Sequence, residues 1–189
     1  MIVYIGCGGN AKDALSFFNC RNVWMVDDYK TGEFEHCSII GTVDEFIRRY
    51  QLMLAKPKTY ITVGSIGDNL ERNRIYEKLA VAGVKTLPLV FTDKISRNVH
   101  IGDNCLINLG VQIHHDAYVG DGTVISPAAT ICGNVFLEGN NFIGAGAIVI
   151  QGITIGRNSV IGAGSVVVCN VPPDSIYAGN PAKLLKRMM

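Results

Sequence analysis

Two adjacent imidazoles followed by a carboxylate, His114, His115 and Asp116, are the residues of this 189-residue chain best suited to moving a proton. Histidine is the one side chain that changes protonation near pH 7 without a large environmental shift. An aspartate beside it can reach one ring nitrogen and fix the tautomer, leaving the other nitrogen as acceptor. The same residues also read as a surface histidine with a local salt bridge. Their setting bears on the choice. Ile113 belongs to a series in which an aliphatic returns every six residues, so His115 falls at a corner or on an outward face.

A second group lies near the start. Gly6, Gly8, Gly9 and Asn10 sit between a predicted strand and a predicted helix, and Asp27 and Asp28 end the next strand. Such a loop can bring phosphate or ribose against backbone N–H groups at a helix start. The acids stand where they could meet ribose hydroxyls or a base edge. "GCGGNA" matches only part of the dinucleotide fingerprint, and the unit is too small for that fold with a catalytic partner. The stretch 64–69, "GSIGDN", adds a third loop at the same sheet edge, with Gly67 and Asn69 facing a pyrophosphate or forming a strand exit and helix cap.

The elements that must position these groups are of two kinds. Residues 1–88 alternate strand and helix: "IVYI", "KDALSFFNC", "VWMVDD", "TVDEFIRRY", "TYITVG" and "NLERNRIYEKLAVAG". Thr42 with Glu45 predicts a capping box, Asn69 a helix cap and Gly83 a helix stop. The pattern predicts a small Rossmann-like α/β domain with a short parallel sheet. Residues 89–189 make the second part, in which the period is six from about residue 93. Ile95, Ile101, Ile107, Ile113 and their successors to Val167 make thirteen hexads without an insertion, slightly more than four triangular coils of a β-helix. Pro172 and Pro173 end the repeat, and "PAKLLKRM" is expected to form a short helix capping the last coil.

Composition removes several function classes. The net charge is +1, and no basic stretch offers a footprint for a phosphate backbone, so nucleic acid is not an expected partner. No apolar window reaches membrane-spanning length and no leader pattern is present, so no membrane insertion and a cytoplasmic location are expected. None of the six cysteines is paired at metal-ligand spacing. His36 beside Cys37 would be half a zinc site without its other half, so no metal is expected. Cys105 and Cys132 read as structural.

The repeat, with "GAGAIVIQGITIGRNSVIGAGSVVVCNVPPDSIYAGNPAK", resembles the hexapeptide-repeat acyltransferases, whose β-helix is left-handed. "IVYIGCGGNAKDAL", the paired acids and "NLGVQIHHD" narrow the resemblance to nucleotide-amino-sugar acetyltransferases related to bacillosamine-pathway and sialic-acid O-acetylating enzymes. It covers essentially the whole chain. It implies acetyl transfer from acetyl-CoA to the amine of a nucleotide-linked sugar, in bacterial surface glycan biosynthesis. It also implies a homotrimer with acetyl-CoA between neighbouring prisms, and a nucleotide sugar held by the α/β domain.

The resemblance maps the general base onto His115, with Asp116 and Asn108 in the same motif; His114 beside it reads as a secondary candidate, a substrate contact, a spare base or surface. It assigns Gly133, Gly144, Ala145, Gly162, Ala163, Asn180, Pro181 and Lys183 to acetyl-CoA. This chain departs from the family pattern at Asn10, where histidine is usual, at Val124, where a second histidine is common, and at Phe91–Thr92, in place of a histidine–proline pair. Alternatives are O-acetylation of a sugar hydroxyl, a non-catalytic trimeric scaffold, and a γ-class carbonic anhydrase. The last needs three histidines converging on zinc, hard to build from neighbours 114 and 115.

Overall fold

The computed structural model describes residues 1–18, 23–63 and 69–188. They form two compact units, Met1–Ser65 with Leu70–Leu89, and Ile66–Asn69 with Val90–Met189. The first contains β1 (Ile2–Ile5), α1 (Gly9–Phe18), β2 (Val23–Val26), β3 (Glu33–Phe34), β4 (Cys37–Ser38), α2 (Val43–Leu52), β5 (Lys58–Ile61) and α3 (Leu70–Val81). Strands β2, β1 and β5 pair in parallel, with Ile2 opposite both Val23 and Lys58. Their apolar residues are buried with Phe46 of α2 and Leu79 of α3, as expected of a parallel sheet covered by helices.

The capping box forms: Glu45 N donates to Thr42 Oγ1 at 3.3 Å and Thr42 N to Glu45 Oε2 at 2.8 Å. Gly83, at φ +74°, ends α3; its N–H reaches Ala80 O and that of Val84 reaches Leu79 O, a Schellman pair. The other end of α3 departs from expectation. Asn69 groups with the second unit, where its Nδ2 donates to Gly122 O and Asn141 O, each at 3.2 Å. Its Oδ1 accepts no hydrogen bond, so its side chain does not cap the helix. Buried coil carbonyls need donors and win the amide. Strands β3 and β4 form a hairpin whose two turn residues, Glu35 and His36, both have positive φ. His36 is thus a turn residue.

The second unit is a parallel β-helix. Its short strands stack in three sheets, and each coil advances eighteen residues: Tyr118 pairs with His100 and Phe136, Val124 with Leu106 and Phe142, Thr130 with Gln112 and Ile148. The aliphatics of the hexad series point inward, and all from Ile107 to Val167 are at most 1% exposed. The small or β-branched residues four positions later, such as Val111, Ala117 and Ala129, are buried beside them. A left-handed φ recurs at every sixth residue from Asn98 to Gly164, once per corner. Asparagine and glycine dominate this series because they tolerate that conformation; Asp116 is one of its members.

The C-terminus corrects one expectation. Residues Lys183–Arg187 form a strand, not a helix, and pair antiparallel with Ser175–Ala178. Ser175–Ala178 itself extends a sheet of the β-helix, alongside Val160–Ile161. A short isolated helix is marginal in water, whereas the open edge of the last strand offers unpaired backbone groups at once. No described helix is long and apolar enough to cross a membrane.

Candidate active site

The histidine site is built by successive turns of one prism corner. Ile113 is fixed inward, so the chain turns through His114, His115 and Asp116 before Ala117 re-enters the core. His115 Nδ1 lies 2.9 Å from Asp116 Oδ2. Asp116 Oδ1 accepts from Asn98 Nδ2, one coil earlier in the same corner, at 3.2 Å. The hydrogen bond from His115, then that from Asn98, hold the Asp116 carboxyl below its usual range despite some desolvation. An ionised Asp116 accepts from Nδ1–H, so the neutral imidazole carries its lone pair on Nε2. That is the arrangement of a general base.

Gly133, one coil later, lies against the ring. A Cβ there would stand 2.6 Å from His115 Cε1 and 2.7 Å from Nε2, so only glycine leaves the imidazole its place. Within this chain, then, Gly133 belongs with the histidine. His114 is exposed beside them, its backbone N–H bound to Ile131 O. Asn108 lies at the preceding corner and donates Nδ2 to Ile125 O at 3.1 Å, tying one coil to another. Asn98 was missed by sequence reasoning. The signal that could have found it is the eighteen-residue coil, which puts it directly beneath Asp116.

The other residues expected to meet acetyl-CoA gather at the Asn108 corner. Gly144 and Ala145 pack against Gly162 and Ala163, with Gly164 N bound to Ala145 O. The turn holding Asn180 and Pro181 continues this edge: Gly179 N donates to Ser165 Oγ and Ala182 N to Val166 O. Lys183 follows, exposed. This edge and the histidine edge are different corners of one prism. Val124 is buried, at 2% exposure.

In the first unit, a cavity of about 280 Å³ opens at the carboxyl edge of β1, β2 and β5. Gly6, Gly8, Asp27 and Asp28 line it; Gly9 and Asn10 begin α1. Gly6, at φ +106°, is pressed on Val63, whose Cγ2 would lie 2.7 Å from a Cβ. Asp27 is a loop fastener: Oδ2 accepts from Cys7 N at 2.8 Å, and Oδ1 from Tyr29 N and Lys30 N, each at 2.9 Å. Burial pushes its carboxyl up, but these donors outweigh burial and hold it below the ordinary range. Asp28 Oδ1 accepts from Val43 N at 2.8 Å, at the start of α2. The buried Cys7 thiol, desolvated and beside Asp27, is pushed up to about 12 and is no nucleophile at neutral pH. Gly67 lies outside the described residues.

Asp27→Asn is therefore expected to loosen both loops around the cavity. Asp27's folded pKa is depressed, so its contribution to stability is present above the unfolded value of about 4 and is lost as pH falls through the folded value. The variant should lose the part of acid unfolding below about pH 4 that this carboxylate supplies. Urea midpoints measured from pH 2 to 7 check this; identical pH dependence in both proteins would remove Asp27 as the fastener.

Comparisons with known proteins agree with this architecture. Residues 134–169 match the family model described as bacterial transferase hexapeptide (six repeats). No curated protein sequence matches the chain significantly. Among solved structures, the acetyltransferase domain of PglB from Neisseria gonorrhoeae superposes with a TM-score of 0.79 at 26% identity, covering 97% of this chain and 98% of that one. A histidine-to-alanine mutant of GDP-perosamine N-acetyltransferase from Caulobacter crescentus, in complex with CoA and GDP-perosamine, gives 0.79 at 26%, covering 98% and 96%. WeeI from Acinetobacter baumannii shares the fold at 23% identity, with a TM-score of 0.78 over 98% of this chain and 99% of that one. The uninterrupted hexads and the superposition over nearly the whole chain lead to one conclusion: the second unit is a left-handed β-helix of hexapeptide repeats, and the chain is similar along its length to hexapeptide-repeat acetyltransferases.

Proposed function

We propose that the protein transfers the acetyl group of acetyl-CoA to the amine of a nucleotide-linked amino sugar, with His115 as general base. The observation that carries this reading is the His115–Asp116 contact at Nδ1, which leaves Nε2 to take a proton. The acceptor amine, unprotonated, attacks the thioester carbonyl. Nε2 of His115 removes the proton that the nitrogen sheds as the tetrahedral intermediate forms. The C–S bond then breaks, the CoA thiolate leaves, and the proton on His115 can pass to that sulfur. No covalent enzyme intermediate is needed.

In this reading residues 1–88 hold the nucleotide, through Gly6, Gly8, Asp27 and Asp28 at the mouth of the cavity, and residues 89–189 carry the transfer. The small-residue edge with Asn180, Pro181 and Lys183 takes the CoA. Because that edge and the histidine edge are separate corners of one prism, each complete site joins the histidine edge of one copy to the small-residue edge of a neighbour, in a closed homotrimer. The product is an activated N-acetyl sugar for bacterial surface glycan assembly, made in the cytoplasm. Support comes from the acetyltransferase relatives, one of which is complexed with CoA and GDP-perosamine.

The test is a panel of nucleotide sugars, amino and hydroxyl, assayed with acetyl-CoA by thiol release. Light scattering of the same sample should give three times the 20.4 kDa chain mass. Turnover should appear only with amino sugars. Turnover with a hydroxyl sugar alone would replace the amine by an alcohol, and a fully active monomer would overturn the shared site.

A further inference from the structure

We propose that Asn98 is a positioning residue for the reaction, clamping Asp116 so that Asp116 holds the His115 ring; the inference rests on His115 being the base. The chain of contacts is continuous: Asn98 Nδ2 to Asp116 Oδ1 at 3.2 Å, Asp116 Oδ2 to His115 Nδ1 at 2.9 Å. Each carboxylate oxygen therefore has its own donor. A carboxylate held by one donor can swing about its Cβ–Cγ bond; one held at both oxygens cannot without breaking a contact. This matters because the Asp116 side chain is about half exposed, at 47%, and that of His115 more so, at 63%. Packing alone does not immobilise either.

The backbone beneath the clamp is also fixed. Asn98 and Asp116 are one coil apart, both at left-handed corner positions, with φ of 58° and 56°. Asp116 N donates to Arg97 O, and Asn134 N, from the next coil, donates to His115 O. The pair is thus held by the Arg97 carbonyl and Asn98 amide on one side and by the Gly133 and Asn134 backbones on the other. None of these contacting groups titrates; the titratable side chains next to the pair in the chain and in the coil below are those of His114 and Arg97.

A competing explanation is that asparagine stands at 98 only because a corner favours it. Two substitutions separate the ideas. Asn98→Gly accepts the same left-handed backbone and removes the amide. Asn98→Asp keeps the size and places a second carboxylate against the first. Initial rates of both, with wild type and His115→Ala, would be measured against pH at saturating acetyl-CoA, together with Tm and KM for acetyl-CoA.

Asn98→Gly should lose roughly tenfold in kcat, within the range of positioned acid–base catalysis, with KM for acetyl-CoA little changed. Its acid limb should move to lower pH, because a loosened carboxylate supports the imidazolium less. Asn98→Asp should move that limb to higher pH, because a nearby anion favours the protonated ring. Opposite shifts are not what a corner-filling role would give. Wild-type kcat and pH profiles in both variants, with His115→Ala inactive, would overturn the clamp while leaving the base in place. Parallel losses in kcat, KM and Tm without a moved limb would overturn it too. Full activity in His115→Ala would remove the base, and the clamp with it. Should Asn98→Gly fail to fold, the direction of the Asn98→Asp limb decides.

Discussion

His115→Ala is expected to lower kcat by about 10²- to 10⁴-fold, the usual worth of a positioned general base. KM for acetyl-CoA should change little, because the imidazole acts on the proton of the attacking amine and not on the nucleotide or pantetheine. His114→Ala should cost far less. His114 is exposed next to His115 but takes no part in the contact with Asp116. Asp116→Asn should fall between them, since the amide can keep a contact with the ring but supplies no charge to support the imidazolium. The wild-type rate should rise with pH as base and acceptor amine lose their protons, and His115→Ala should lose one of these dependences. Initial rates of the four proteins against pH at saturating acetyl-CoA give the answer. Undiminished turnover in His115→Ala would falsify the base assignment, and a collapse confined to His114→Ala would transfer the role to its neighbour.

Gly133→Ala is expected to cost about 10²-fold in kcat. The new methyl would stand 2.6 Å from His115 Cε1, far inside van der Waals contact, so the ring must move. A displacement of about 1 Å at a reacting group is enough for a loss of that size. The family resemblance instead assigns Gly133 to acetyl-CoA, and the two roles give different kinetics. If the glycine seats the ring, the loss lies in kcat, and adding Gly133→Ala to His115→Ala should cost almost nothing more. A raised KM for acetyl-CoA that persists in the double variant would return Gly133 to the CoA path.

The repeat was legible because its physics is local and repetitive. An aliphatic every sixth residue, filler four positions on and a turn-tolerant residue at each corner state the coil without any long-range information. Ile113 thereby placed His115 on the surface of the prism. The capping box of Thr42 and Glu45 and the stop at Gly83 were legible for the same reason, each being settled within six residues.

What escaped depends on neighbours distant in sequence. Asn98 meets Asp116 across a whole coil. Asn69 has the composition of a helix cap, yet its amide is taken by carbonyls more than fifty residues away. "PAKLLKRM" suggested a helix by local propensity, and the exposed edge of the last coil overrode it. Asp27 stood where a ribose-binding acid was expected, and three backbone donors that no motif advertises also claim it.

The eighteen-residue coil makes every position on this unit a coordinate on a screw, defined by a height and a direction. Adding or removing eighteen residues would shift a side chain by one step of about 4.8 Å along the axis and leave its direction unchanged. Adding six would swing it to the next corner at nearly the same height. His115 therefore shares its direction with only a few sites, among them Arg97 and Gly133, one step below and one above. Lengthening such an enzyme by whole coils beyond its ends would preserve the histidine's bearing. Lengthening it by any other amount between His115 and Asn98 would separate two groups that now share an edge.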